Sequence, residues 1–209
     1  DWSSDVCSSD LVLDAWCQKR AMENISNGLK ANEVPKDENG PLHPFKPGFL
    51  WNYGIKGIIP FPIKGAIWYQ GESNSLSLPR VLQHEPLFKL LVSDWRKEWN
   101  NGDFPFYYCQ LSSIGTEKGY QSLHWPQFRD SQRRMATEIP NTGMAVTSDV
   151  GHPSDVHPTN KKEVGRRLAL CALAKTYQKN VPKGGPEPKS ILQKGNSLEI
   201  SFDNTWEGL

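Results

Sequence analysis

The segment IKGAIWYQGESN, at residues 63–74, joins an apolar run to a polar loop. The run from Ile63 to Tyr69 predicts a strand buried on both faces, as in a parallel sheet. The loop QGESN that follows carries amide, carboxylate and hydroxyl side chains beside a glycine. The segment therefore predicts a core strand followed, at the carboxyl end of the strand, by polar side chains that could take part in catalysis or binding.

A second segment, DVGHPSDVHPTNKKEVGRRLAL at residues 149–170, repeats this arrangement. It follows a predicted strand at residues 143–148 and leads into a predicted helix at residues 160–178. Asn160 with Glu163 three positions later is typical of a helix N-cap and its reciprocal partner, so the helix is expected to begin just after Pro158. His157 then lies in a loop before a helix N-terminus, where the helix dipole disfavours the imidazolium form.

The remaining pattern alternates strand and helix. Further predictions are a strand at 104–111, helices at 12–25, 82–99 and 125–138, and an irregular linker at 35–48 that is rich in proline and glycine. Such alternation predicts an α/β domain with a parallel sheet. Ligands of parallel sheets bind at the carboxyl ends of the strands, so QGESN, SSIG and DVGHPSDVHP are expected to converge on one rim.

Composition excludes several classes of function. The chain has 24 Lys and Arg against 23 Asp and Glu, so a net charge of +1 gives no electrostatic case for binding nucleic acid. No apolar run approaches the ~20 residues of a membrane-spanning helix. The four cysteines lack the CxxC spacing of a metal site, and the scattered histidines His43, His84 and His124 show no metal-ligand spacing. The sequence also has no phosphate-cradling glycine-rich loop and no dinucleotide fingerprint, so we predict neither a metal nor an organic cofactor.

Residues 48–209, through the two quoted segments, resemble the sialate O-acetylesterase family of SGNH-type serine hydrolases. The resemblance implies a three-layer sandwich around a parallel sheet and hydrolysis of acetyl esters on carbohydrates by acyl transfer to serine. Sialic acid is the substrate in the family's name, and acetylated xylan or another glycan is an alternative. The family also implies a periplasmic or secreted location; oligomeric state stays open. A rival from another class is a non-catalytic carbohydrate-binding fragment, in which Trp68, Tyr69 and Trp125 would stack on sugar.

His157 is the predicted general base, because relatives place their base in a similar His-Pro loop. Asp155 could orient its ring through the other nitrogen. Asp149 or a backbone carbonyl could do so instead, and Asp155 could simply cap backbone amides. His152 is a weak candidate for a substrate contact.

The resemblance assigns QGESN to the block that stabilises the oxyanion and holds the acyl group. Gln70 and Asn74 offer amide donors, Gly71 allows close approach of the backbone, and Glu72 is expected to bond to backbone and shape the loop. The alternative is a glycine turn with solvated side chains. Ser73 is not the expected nucleophile, because G-E-S-N lacks the G-x-S-x-G elbow.

The chain divides into four predicted parts. Residues 1–11, DWSSDVCSSDL, are interpreted as a translated sequencing adaptor rather than a disordered terminus. Residues 12–181 form a partial SGNH-like domain, 182–189 a Pro/Gly linker, and 190–209 the start of a β-domain, in which Leu198, Ile200 and Phe202 alternate with polar residues. The family's serine lies in an upstream Gly-Gln-Ser-Asn stretch that this sequence lacks, so we expect a fragment without its nucleophile and without activity of its own.

Overall fold

The computed structural model of the chain describes residues 36–37, 40–41, 50–59, 61–115 and 123–206. Its central elements are β1 (Ala66–Trp68), α1 (Leu78–Trp99), β2 (Phe106–Cys109), α2 (Trp125–Glu138), β3 (Thr142–Ala145) and α3 (Lys161–Lys175), followed by β4 (Glu187–Lys194) and β5 (Ser197–Asp203). The strands β1, β2 and β3 form a parallel sheet in that order. The predicted alternation of strands and helices is confirmed.

Helices cover the sheet on two sides. On one face, Phe88 and Leu91 of α1 and Met135 of α2 pack against Phe106 and Tyr108 of β2. On the other face, three residues of α3 pack against three residues of β2 and β3: Val164, Leu168, Cys171, Tyr107, Cys109 and Ala145. Every residue of β2 is buried, because it is the middle strand of the middle layer. This is the predicted three-layer α/β/α arrangement.

The first strand differs from its prediction. β1 spans three residues instead of seven, and Ile67 is 71% exposed, so the strand is not buried on both faces. Ala66 and Trp68 face the α1 side and pack on its core, while Ile67 points to the opposite face. At the start of the strand, a Cβ on Gly65 would lie 2.7 Å from the carbonyl oxygen of Pro105, so the backbones of these two segments are in contact there.

The helices begin and end at recognisable signals. α1 starts at Leu78, four residues before its prediction, since Pro79 is compatible with a first helical turn, and it ends at Asn100 in the left-handed conformation. Pro86 lies inside α1 without ending it. α2 has the predicted bounds. α3 begins after Asn160, whose side chain accepts a hydrogen bond from the Glu163 N–H at 3.2 Å.

The other bounds move by a few residues. β2 is two residues shorter than predicted at each end, and β3 ends three residues earlier because Val146 turns into the loop. Of the predicted linker at 35–48, the described part contains two short paired strands, Lys36–Asp37 and Gly40–Pro41. β4 begins inside the predicted linker 182–189 and pairs with β5 as an antiparallel hairpin. The predicted helix at 12–25 lies outside the described residues.

No helix within the described ranges is long and apolar enough to cross a membrane.

Candidate functional site

The loops after β1, β2 and β3 meet at one rim of the sheet, as predicted. The Tyr69 hydroxyl, after β1, donates to the Ser112 hydroxyl after β2 at 3.4 Å. Thr147, after β3, donates to the carbonyl of Gln110 and is fully buried. Ser113 donates to the carbonyl of Ser148 at 2.5 Å. The polar segments that the sequence placed on separate strands are therefore adjacent.

His157 lies on this rim in the segment between β3 and α3, which we call the base loop (residues 149–160). Its Nδ1 lies 3.0 Å from Asp155 Oδ1, and its backbone N–H donates to the same oxygen at 2.8 Å. These bonds, the backbone one first, lower the pKa of Asp155. An ionised carboxylate can only accept, so Nδ1 is the donor in this bond, and in the neutral ring Nε2 then carries the lone pair. The His157 side chain is 37% exposed, so this nitrogen belongs to a ring that solvent and substrate can reach.

The middle of the base loop is held against the loop after β2. Gly115 N–H donates to the Pro153 carbonyl at 2.9 Å, and Ile114 forms a parallel bridge with His152. Gly151 sits so close to Ser113 that a Cβ on it would lie 2.0 Å from the Ser113 carbonyl oxygen. Glycine is required there by backbone contact, since its φ of −69° is ordinary.

Asp149 and Asp155, the two carboxylates considered as orienters, have different partners. Both Asp149 oxygens accept from Arg167, at 2.5 and 2.6 Å, and this pairing lowers the pKa of Asp149. Asp155 is the carboxylate that the structure brings to the His157 ring. His152 instead accepts from the backbone N–H of Ser154 at 3.2 Å.

The QGESN loop is buried and internally bonded. Gln70 Nε2 donates to Asn74 Oδ1 at 2.9 Å, and Gly71 N–H donates to Glu72 Oε2 at 2.9 Å. Glu72 thus bonds to backbone, as predicted, while Asn74 is only 1% exposed beneath the loop. Gly71 has a φ of +145°, and a Cβ there would lie 2.5 Å from the Phe128 ring, so only glycine fits. Solvated side chains on a simple turn, the alternative reading, do not describe this loop.

Charged groups from α3 and from the base loop act on the QGESN loop and on the residue before it. Lys161 Nζ lies over the Tyr69 ring, 4.8 Å from its centroid. Burial raises the pKa of Glu72, and its own and Gly71's backbone N–H groups and the charges of His157 and Lys161 partly oppose that rise.

Three other residues qualify the sequence predictions. Ser73 lies in a one-turn helix, is 8% exposed, and its carbonyl accepts from Arg80 at 3.1 Å. Trp125 is 7% exposed and donates through Nε1 to the Ser112 carbonyl, so its ring belongs to the core. Arg167, which was not among the candidate site residues, bridges Asp149 and Glu163. Its four-residue spacing from Glu163 signalled one of those pairs; the Asp149 pair left no trace in the sequence.

Within the described ranges, no group of three or more His, Cys, Asp or Glu side chains could hold a metal ion. The rim instead combines a histidine oriented by a carboxylate with a buried amide-bearing loop on the neighbouring strand. Such a set can move a proton and stabilise developing negative charge, given a nucleophile.

Comparison with known proteins matches these features to one family. The family model described as carbohydrate esterase, sialic acid-specific acetylesterase matches residues 54–174. Sialate O-acetylesterase from Homo sapiens is 34% identical over 199 residues, which cover 86% of this chain and 36% of the relative. The enzyme of the same name from Rattus norvegicus is 33% identical over 234 residues, covering 97% of this chain and 42% of the relative. The chain therefore spans well under half the length of these relatives.

A solved structure gives the same answer for the fold. The crystal structure of a carbohydrate acetylesterase from Xanthomonas citri superposes with a TM-score of 0.64 at 34% sequence identity. The match covers 76% of this chain and 36% of that protein.

Proposed function

The chain belongs to the sialic acid-specific acetylesterase family of carbohydrate esterases, and on that premise we propose that it supplies the base and the oxyanion loop of a carbohydrate O-acetylesterase. The observation that carries the proposal is the hydrogen-bonded Asp155–His157 pair at the strand-end rim, beside the buried QGESN loop. The substrate class is an O-acetylated sugar, with sialic acid first and acetylated xylan or another glycan as the alternative.

In the proposed mechanism, His157 Nε2 takes the proton of a serine hydroxyl while that oxygen attacks the acetyl carbonyl carbon. Asp155 holds the ring and stabilises the imidazolium that forms. Collapse of the tetrahedral intermediate breaks the bond to the sugar oxygen, which receives the proton from His157. Water, deprotonated by the same nitrogen, then releases acetate and restores the serine.

We assign to the QGESN loop the role of stabilising the negative charge of that intermediate. Gln70 and the Gly71 backbone are the proposed oxyanion or substrate contacts. Asn74 and Glu72 are assigned to the same loop as its supports, because they bond to Gln70 and to the Gly71 N–H respectively. The Gly71 N–H would have to leave Glu72 to donate to substrate, and the raised pKa of Glu72 favours a carboxyl group that can release it.

We propose that the nucleophile is a serine outside the described residues and that the 209-residue chain alone is inactive. Ser73 sits in a buried turn without flanking glycines on both sides, which the strained elbow of a nucleophilic serine requires.

A non-catalytic sugar-binding role is less well supported. Trp125 is buried, Trp68 packs against Phe106 and Trp95, and the Tyr69 ring has Lys161 above it. These rings do not form an open stacking platform.

The test uses a chimera in which residues 54–174 replace the matched segment of the Xanthomonas citri acetylesterase. We expect it to hydrolyse an aryl acetate, and assays with O-acetylated sialic acid and O-acetylated xylo-oligosaccharides then identify the sugar. A fluorophosphonate should label a serine of the acetylesterase portion. Mapping of the adduct to Ser73, or stoichiometric labelling of the 209-residue chain itself, would contradict the assignment of the nucleophile. A folded chimera with no esterase activity would contradict the proposed function.

A further inference from the structure

Arg167, in the second turn of α3, links that helix to the entry of the base loop. At the entry to the loop, its Nη1 and Nη2 donate to the Asp149 carboxylate at 2.5 and 2.6 Å, and Nη1 also donates to the Val146 carbonyl at 2.8 Å. Beyond the exit, its Nε donates to Glu163 Oε1 at 2.7 Å. The guanidinium is therefore shared between Asp149, at the start of the base loop, and Glu163, in the first turn of the helix that follows it.

We infer that Arg167 is a positioning residue for His157: it links α3, where the base loop ends, to Asp149, where the loop begins, and so fixes the distance between the two ends of the loop. The inference rests on the proposed function only in taking His157 as the base. It acts through the loop, since the contacts of Arg167 are with Asp149, Val146 and Glu163 and not with the His157 ring.

The rest of the loop explains why its ends matter. The segment from Ser148 to Pro153 is fastened to the loop after β2 by the contacts of Ser148, His152 and Pro153. In residues 154–160, Val156 packs against the core cluster that contains Leu111 and Phe128, and the exit of the segment is set by the N-cap of α3 at Asn160. A bridge from Asp149 to the first turn of α3 limits how far that cap can move from the end of β3, and hence where His157 lies.

Arginine suits this role better than lysine. Its planar fork makes a two-point contact with one carboxylate while Nε reaches another, whereas an ammonium is a single point charge. The Arg167 side chain is 23% exposed and the Asp149 side chain 62% exposed, so solvent screens this pair in part. Its partners raise the pKa of the guanidinium further, so it stays charged.

The neighbouring residue provides a matched control. Arg166 also makes two bonds to Glu163, at 2.8 and 2.7 Å, but its side chain is 57% exposed and its bonded partner is on its own helix. Replacing Arg166 removes the same kind of charge pair without cutting the bridge to β3.

The experiment follows the His157 ring in the 209-residue chain by ¹⁵N NMR of the imidazole. In the native chain we expect a protonated Nδ1 held by Asp155. Arg167→Gln should broaden or shift the His157 ring signals, Arg167→Lys should do so less, and Arg166→Gln should leave them in place. The amide spectrum of β2 reports whether each variant is folded. If Arg167→Gln does not fold, Asp149→Asn cuts the same bridge from its other end and should disturb His157 alike.

Unchanged His157 signals in a folded Arg167→Gln chain would overturn the inference, as would equal disturbance by Arg166→Gln. In the chimera, Arg167→Gln should lower kcat about tenfold with KM within about twofold, since a misplaced base slows chemistry without loosening binding. An equal loss for Arg166→Gln would also overturn it. If the native chimera is inactive, the proposed function fails, while the NMR result still decides the role of Arg167.

Discussion

Arginines fasten the sheet at both of its ends, but their partners differ. At the amino ends of β2 and β3, Arg96 is 9% exposed and donates to the backbone carbonyls of Phe104, Pro140 and Asn141 at 2.8 to 3.3 Å. At the carboxyl ends, the more exposed Arg167 donates mainly to the carboxylates of Asp149 and Glu163. Each arginine lies on a helix and bonds to residues at the ends of strands.

The difference lies in what can titrate. Backbone carbonyls do not titrate, and burial strengthens hydrogen bonds to them, so these bonds of Arg96 do not depend on pH. Arg96 also has an acidic partner, the exposed Asp103 carboxylate, which lies 3.8 Å from its Nη1. Carboxylates lose their charge in acid and are screened by salt, so the carboxyl end is held by bonds that conditions can alter. A cavity of about 490 Å³ opens beside Arg96 and Glu138, yet the carboxylate-oriented histidine lies at the other end. The comparison predicts that changes at the carboxyl end affect rate and those at the amino end affect stability.

The largest expected effect is on rate at the carboxyl end. His157→Ala in the chimera should lower kcat for an aryl acetate by ~10²-fold or more, because a general base contributes about that much. His152→Ala, five residues earlier in the same loop, is the control and should change kcat little. Both variants should melt within a few degrees of the native chimera, which is checked by circular dichroism. Substantial activity in a folded His157→Ala variant removes this histidine from the mechanism.

At the amino end, Arg96→Met should be the most destabilising change. It leaves three carbonyls without their charged donor in a site that is nearly closed to water, so we expect a loss of about 3 kcal/mol in the free energy of unfolding. Urea unfolding of the 209-residue chain, followed by tryptophan fluorescence, measures it. Lys97→Met, one position along α1, is the matched control. If Arg96→Met lowers the free energy of unfolding no more than Lys97→Met does, the hydrogen bonds of Arg96 to the buried carbonyls contribute little to stability.

Backbone contact gives the third prediction. Gly151→Ala forces the base loop away from Ser113 and should cost about 1 to 3 kcal/mol, with a fall in kcat in the chimera, because an added methyl group overpacks the contact. Gly165→Ala, inside α3 where a Cβ meets nothing within 4 Å, should be neutral or stabilising by up to ~1 kcal/mol. Equal stabilities for the two variants would mean that the loop accommodates a Cβ without strain.

Much of this arrangement could be read from the sequence because it is local. Period and capping signals located α2 and the start of α3, and the strand-end rule brought the QGESN loop and His157 to one rim. The structure confirms the hydrogen bond from Glu163 N–H to Asn160. The reciprocal bond of that cap was expected too, but the Glu163 carboxylate instead bonds to Arg166 and Arg167.

What could not be predicted depends on contacts between distant residues. The exposure of Ile67 depends on which elements cover β1, and the Asp149–Arg167 pair spans 18 positions and two elements. The same spacing rules that identify a helix face cannot tell whether Arg167 faces solvent or a strand end. Charge partners that set pKa values are therefore visible only in the structure.

The smallest expected effect is that acid weakens the hydrogen bonds of Arg167 before those of Arg96. Arg167 lowers the pKa of Asp149, and Arg166 and Arg167 together lower the pKa of Glu163 to about 2. A folded pKa below the unfolded value adds stability that is present above the unfolded pKa, near ~4, and is lost as the pH falls through the folded pKa. The bonds of Arg167 should therefore weaken between about pH 4 and about pH 2, while those of Arg96 to carbonyls persist as long as the chain is folded.

The ¹⁵N signals of the Arg167 and Arg96 Nε–H groups measure this difference in one pH titration: the Arg167 signal should shift or exchange first. Because the two carboxylates remain accessible to water, the accompanying loss of stability should be small. Simultaneous loss of both Nε–H signals would mean that global unfolding, and not release of the carboxyl-end bridge, is what acid produces.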